Sequence, residues 1–362
     1  MGELRIAGGT CHPIYVFDVG YAIDLQGAAQ RLPAGVVRPV RRRDRPASPF
    51  EFRPIPLRLV EESGALPSEF RLNPAVELAL YDFGAATVSY TIPLGSSAAE
   101  LLDLSVRLRG NDALQSDARR RITGLIESLG TAVQRPRVGE PAEDYFIFEI
   151  AALPDAVEAA AFCREHAALL ARVLRAETVE LSQEEIAHVM EARISFERGD
   201  LILVDWDSAF IVDPEPADFR AVLEFANVQL LELRYLDGQL DRILERSYQL
   251  LSRRSRWRGI APGFMEEDRR EISALQVDGA ILLERVSNAL KILGEEYLAR
   301  VYRLAAGRLH LAEWDAVIVR KLSTIESIYQ KLSDRAAARR LELLEWVVIV
   351  LIALEVVLTL RH

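Results

Sequence analysis

The last twenty residues constrain this chain more than anything before them. Leu343-Leu344-Glu345-Trp346-Val347-Val348-Ile349-Val350-Leu351-Ile352-Ala353-Leu354-Glu355-Val356-Val357-Leu358-Thr359-Leu360 is an apolar run followed by Arg361 and His362 alone. A helix needs roughly 20 apolar residues to cross a bilayer, with about 17 at the short limit. The run therefore predicts a C-terminal transmembrane anchor over residues 341–362, with Trp346 near one interface. Glu345 and Glu355 are the costly groups, because ionisable residues in a membrane helix turn to a partner or to the interface. Glu345 is placed to snorkel. Glu355 has two options, snorkelling at the far end or bonding to neighbouring helices. A buried core helix is the alternative to a spanning one, since both glutamates shorten the uninterrupted stretch.

Charge and cysteine usage narrow the setting. The net charge is −10 over 362 residues, which argues against a nucleic-acid binder as a whole. Two cysteines, Cys11 and Cys163, make no disulfide framework, and a reducing compartment is the simpler reading. The N-terminus carries no basic segment leading into a long apolar stretch, so no signal peptide is expected. Lys331, Arg335, Arg339 and Arg340 precede the apolar run, and short flanks rich in Lys and Arg stay on the cytoplasmic side.

Residues 1–213 are predicted to form an α+β head. Strands are expected at 13–25, 76–92 and 145–152, helices at 97–108, 113–129 and 155–176, and a hairpin over 201–212 turning at Asp205-Trp206-Asp207-Ser208. Ser182 with Glu185 has the spacing of a capping box. Phe17-Asp18-Val19-Gly20 and Tyr81-Asp82-Phe83-Gly84 echo one another inside predicted strands, where glycine marks a bulge or close backbone approach.

From 214 to 340 the spacing turns helical. Leu223, Ala226, Leu230, Leu233, Leu240, Leu244 and Leu251 fall at steps of three, four or seven residues, and Leu236, Ile243 and Leu250 add a second face. Breakers at Gly259, Pro262 and Gly307 divide the segment into three helices, a long antiparallel coiled-coil arm whose last helix runs into the tail. Antiparallel packing would return the tip between the first two helices to the membrane surface. Arg253, Arg254, Arg256, Trp257 and Arg258 at that tip are then a candidate contact with anionic lipid, the alternative being a solvated basic turn.

No catalytic constellation stands out. The phosphate-loop, nucleophile-elbow, zinc-helix and paired-CxxC patterns are missing from the sequence. Cys11-His12 and Cys163 with His166 fall short of the three or four ligands a metal site needs. Asp205, Asp207 and Asp213 read as turn and capping residues before they read as cation ligands. No cofactor and no small-molecule substrate are expected. Residues 31–58 form an Arg/Pro loop, and Arg38, Arg41, Arg42, Arg43 and Arg45 there could contact phosphates of RNA or lipid. Phe50 and Phe52 are its only aromatics, too few for base recognition.

The tail from Leu344-Glu345-Trp346 to Glu355-Val356 resembles the C-terminal signature of the required-for-meiotic-nuclear-division family, in which Leu-Glu-Trp opens a terminal membrane helix carrying a second Glu. Arg320-Lys321-Leu322 with Ile325 and Leu332 is similar to that family's helical approach, and Tyr81-Asp82-Phe83-Gly84 to its strand motif. The resemblance implies a bacterial-type, non-enzymatic membrane protein of the cytoplasmic membrane, single-pass, with its soluble domain in the cytoplasm. It also implies large homo-oligomers and a role in holding ribosomes near the membrane, with no catalytic residues to carry over. The expectation is thus a tail-anchored homo-oligomeric scaffold tethering translation machinery. An oligomeric channel or transport component is the alternative.

Overall fold

The structure, a computed structural model, describes residues 8–33, 37–38, 54–62, 70–95, 97–140, 142–151, 157–253, 277, 280, 281, 284 and 296–359. The chain divides into two compact units, one of residues 1–235 with 281–314, the other of residues 236–280 with 315–362.

A mixed sheet organises the first unit. Its strands are β1 (Gly9–Asp18), β3 (Val37–Arg38), β4 (Leu57–Glu62), β5 (Ala75–Leu80), β6 (Ala85–Ser89), β7 (Ile92–Pro93), β9 (Glu143–Ile150), β10 (Arg193–Ile194), β11 (Leu201–Val204) and β12 (Ser208–Val212). The order is β10-β11-β12-β9-β1-β6-β5-β4-β3, with β7 beside β1. Every pairing is antiparallel except β12 with β9. A separate two-stranded ribbon joins β2 (Ala22–Ile23) to β8 (Val133–Gln134).

Side chains alternate across a strand, and here the alternation separates two chemistries. Cys11, Tyr15 and Phe17 of β1, Ala86 and Val88 of β6, Leu78 and Leu80 of β5, and Phe146, Phe148 and Ile150 of β9 all join one apolar core. That core lies under α2 (Ala98–Leu108), α3 (Asp112–Leu129), α4 (Ala159–Arg175) and α5 (Gln183–Glu191), with α1 (Leu25–Arg31) at its margin. The opposite parity carries His12 and Asp18, Arg58, Thr87, Glu143 and Glu149. Over that face lies the part of α6 (Ala217–Arg253) that belongs to this unit, residues 217–235, whose Arg220, Glu224 and Arg234 bond to it. A sheet covered on both faces gives near-continuous burial along its strands, which is why β1, β6, β11 and β12 show little polar alternation.

Local signals account for most element ends. Ser97 and Glu100 close a reciprocal capping box on α2, Ser182 caps α5, and Gly130 ends α3 at φ +52°. The predicted strand over 76–92 is instead two strands. The chain reverses at Tyr81-Asp82-Phe83-Gly84, closed by the Gly84 N–H donating to the Tyr81 carbonyl at 3.1 Å, with Gly84 at φ +99°. The predicted strand over 13–25 likewise ends at Asp18 before the short β2. The two echoing tetrapeptides pack against each other. The Val19 N–H donates to Gly84 O at 2.8 Å, and a Cβ on Gly84 would stand 2.1 Å from the Gly20 carbonyl oxygen.

The described part of the second predicted arm helix is α7 (Glu296–Arg308). It continues past Gly307, and the left-handed residue that ends it is His310 at φ +54°. Tyr297 packs edge-on against Phe219, and the Tyr302 hydroxyl bonds Gln229 at 2.5 Å. These contacts advance together along α6 and α7, so the two helices run in the same sense. An antiparallel partner for α6 would fall on residues 254–295, which apart from 277, 280, 281 and 284 lie outside the described residues.

The last helix, α8 (Leu311–Thr359), runs unbroken into the apolar tail. It corrects the predicted transmembrane anchor: no described helix is long and apolar enough to cross a membrane. The reason lies in the carboxylates. The final turns of α8, residues 342–359, contain Glu342, Glu345 and Glu355. Between the last two, 346–354 would cover only about 14 Å at 1.5 Å per residue, against about 30 Å of bilayer core. The anchor at 341–362, the anchor roles of Trp346, Glu345 and Glu355, and the single-pass placement in a bacterial cytoplasmic membrane are therefore not supported.

Candidate functional site

The polar face of the sheet and α6 together make a buried ionic seam. At its start Arg220 donates to both Glu149 carboxylate oxygens at 2.8 Å, and His12 Nε2 lies 3.2 Å from the same group. Burial pushes the Glu149 carboxyl up, but the His12 hydrogen bond and the Arg220 charge outweigh it and hold the group below its usual range. One turn on, Glu224 accepts from Thr87 Oγ1 at 2.7 Å, the Tyr81 hydroxyl at 3.0 Å and Arg58 Nη2 at 3.3 Å. Burial raises Glu224 as well, and Arg58 reverses it, leaving that carboxyl low. Further along, Arg234 pairs with Glu143 at 2.6 Å, and Glu232 lies buried near Asp18 and Arg137. Each group sits where β-strand parity and helical spacing turn it into the layer between sheet and helix.

A second ionic knot braces the β11–β12 hairpin. Asp205 is fully buried, with Arg175 Nε 2.9 Å from one oxygen and Arg308 Nη2 2.7 Å from the other. Arg175 also reaches Glu185 at 3.0 Å, and Arg308 Nη1 lies 2.8 Å from His188 Nε2. The Tyr145 hydroxyl is 2.9 Å from the carbonyl oxygens of both Asp205 and Ser208. Asp207 pairs with Arg109 at 2.5 Å. Burial raises the Asp207 carboxyl to about 6, Arg109 opposing while the Asp205 and Asp144 charges add to the rise. The aspartates picked out by sequence are thus claimed by arginines as a turn brace, and Asp213 accepts from the Glu215 N–H as a local cap. Among the described residues no three His, Cys, Asp or Glu come together as a metal site. Cys11 and His12 point to opposite faces of β1, one into the apolar core and one into the seam.

Third, α8 carries a bare apolar row. Leu341, Leu344, Trp346, Val347, Val348, Ile349, Val350, Leu351, Ile352 and Val356 are each between 52 and 63 % exposed. Glu345 stands exposed among them. The other predicted sites are scarcely reached by the structure. Arg38 lies on β3 opposite Arg58, and Arg253 is the last residue of α6. Arg41, Arg42, Arg43, Arg45, Arg254, Arg256, Trp257 and Arg258 lie outside the described residues. Sequence reasoning missed Arg137, Glu149, Arg220, Glu224 and Glu232, and took Asp18 only as part of an echoing strand motif and Arg58 only as the end of the Arg/Pro loop. The available signal was charged residues recurring inside the leucine-rich stretch of α6.

Helices on both faces of a mixed, almost wholly antiparallel sheet make the head a three-layer domain. The chain belongs to the family described as the N-terminal domain of the uncharacterized protein MJ0711, which matches residues 8–218. The matched span holds the whole sheet and α1–α5 and stops as α6 begins. The uncharacterized protein MJ0711 of Methanocaldococcus jannaschii, an archaeal relative, is 24% identical over 201 residues, 55% of this chain and 61% of that protein. The chain thus spans about three fifths of that relative's length. No solved structure matches.

Proposed function

We propose that the chain is a non-catalytic, homo-oligomeric scaffold, assembled through the apolar row of α8. The observation that supports this reading is the row itself: ten large apolar side chains, Leu341 to Val356, each more than half exposed among the described residues. Monomeric proteins rarely leave so large a contiguous patch open. Fully burying such a side chain is worth about 1.5–3 kcal/mol, and with each a little over half exposed the ten together supply a driving force of the order of the cost of bringing chains together. The row contains seven consecutive exposed apolar residues, 346–352, and so wraps the whole helix. A single partner helix would cover one side only, so the row calls for a bundle of several copies. The same segment of other copies is the natural cover, since each copy carries the same need and closed symmetry meets it. The ionic seam and the Asp205 knot are consistent with a structural role, their charges being used to fasten elements together.

Multi-angle light scattering of the full chain tests the proposal. The expected result is a discrete oligomer that Val347→Lys with Leu351→Lys converts to smaller species. A monomeric wild-type chain, or one that associates only with added lipid or detergent, would overturn it.

A further inference from the structure

The seam under α6 balances its charges except at one place. Asp18, at the end of β1, and Glu232, on α6, are both 2 % exposed. Arg137 is the guanidinium that acts on both, and it gives its fork to Asp18, Nε to Oδ2 at 2.6 Å and Nη2 to Oδ1 at 2.9 Å. Its plane is held over the Tyr235 ring at 4.5 Å, which fixes that choice. Among the described residues Glu232 Oε1 has no hydrogen-bond partner. Arg137 is itself 35 % exposed, but both carboxylates are buried, and a buried carboxylate oxygen without a partner favours the neutral acid.

We propose that Glu232 is the neutral acid at neutral pH, Asp18 keeping the Arg137 fork, and that this protonation is what lets α6 seat on the sheet. The groups facing Glu232 are Asp18 from β1, Arg137 from the segment after β8, and Tyr235 on α6. The next carboxylate along the seam, Glu143 of β9, is taken by Arg234 at 2.6 and 2.7 Å. Burial first, then the Asp18 charge, push the Glu232 carboxyl well above its ordinary range, with Arg137 pulling the other way. Loss of that proton is a plain ionisation: the Glu232 O–H bond breaks, the proton leaves to solvent, and a second carboxylate remains in the seam. Since the folded-state value is raised, the stabilisation is complete below the ordinary carboxylate range and is lost as pH rises through the folded value. Alkalinity should loosen α6 at Glu232, while the Arg220 and Glu224 contacts, whose carboxyls titrate low, stay closed.

The test is thermal unfolding of the full chain from about pH 6 to about pH 9, wild type beside Glu232→Gln. The wild type should lose roughly 2–4 °C more than the variant over that range. Equal losses overturn the proposal. Should Glu232→Gln fail to fold, the infrared carbonyl band of a buried carboxylic acid decides the matter. It is expected at neutral pH in an Asp207→Asn background, which removes the other raised carboxyl, and should vanish when Asp18→Asn is added, where Arg137 is freed to pair with an ionised Glu232. An Asp207→Asn chain without the band, or a band that persists when Asp18→Asn is added, overturns the proposal.

Discussion

Asp207 shows how a single carboxyl can work against its fold. Its partner Arg109 is close, yet burial and two neighbouring aspartates raise it to about 6. A raised carboxylate stabilises only while protonated: its contribution is whole below about pH 4 and is lost as pH climbs through about 6. Asp207→Asn should therefore flatten the loss of melting temperature between about pH 4 and about pH 7, leaving the variant roughly 2–4 °C above wild type at the upper end. Differential scanning fluorimetry across that range is the check, and a variant that follows the wild-type slope contradicts the assignment. Gly84 makes the opposite case, a residue whose lack of a side chain is the contribution. At φ +99°, with the Gly20 carbonyl oxygen 2.1 Å from where a Cβ would stand, Gly84→Ala must strain the backbone and push the two loops apart. A loss of about 2 kcal/mol or more in denaturant unfolding is expected, within the range for special-conformation sites.

Among the elements, α6 is the one whose role depends most on its partners. Propensity makes it a helix, but ionic contacts on one side choose where it lies. Glu224→Ala would leave Arg58 half of a broken buried pair and take an acceptor from the Tyr81 and Thr87 hydroxyls. Removing one member of such a pair costs about 3–5 kcal/mol. Urea unfolding should show a loss of that size, and a clearly smaller one for Glu224→Gln, which still accepts from both hydroxyls. Lys321, which bridges Asp237 and Asp241 at 2.6 Å each, provides the contrast. It lies near the surface, so Lys321→Ala should cost no more than about 1 kcal/mol.

For the whole molecule, two compact units and a bare apolar row predict a melting behaviour. Copies that bury α8 against one another should unfold with a concentration-dependent midpoint, because association adds to the stability of whatever it covers. A scan over a hundredfold range of protein concentration should raise the transition of the assembled helices and leave that of the head in place. Midpoints that ignore concentration would count against assembly through α8. The relation to the MJ0711 family bears on the head alone, since the match ends at residue 218, before Leu341 and the rest of the row.

Sequence alone determined what depends on neighbours along the chain. Ser97, Ser182 and Gly130 mark helix ends by hydrogen bonds and backbone freedom confined to a turn, and Asp205 to Ser208 mark a hairpin for the same local reason. The length of α8 was equally legible, since no breaker interrupts it. What the apolar tail does was not, because an 18-residue run and one cut by Glu342, Glu345 and Glu355 differ little in composition and greatly in what they can span. The hairpin at Tyr81–Gly84 was hidden because apolar residues flank it closely on both sides, the pattern that a sheet buried on both faces imposes. Tertiary structure alone decided the seam. Arg58 meets Glu224 and Arg137 meets Asp18 across more than a hundred positions, and nothing local records either pairing. Only the stacking of β1, β6 and β9 beneath α6 brings those charges to one level. Burial there then forces each to find a partner or keep a proton.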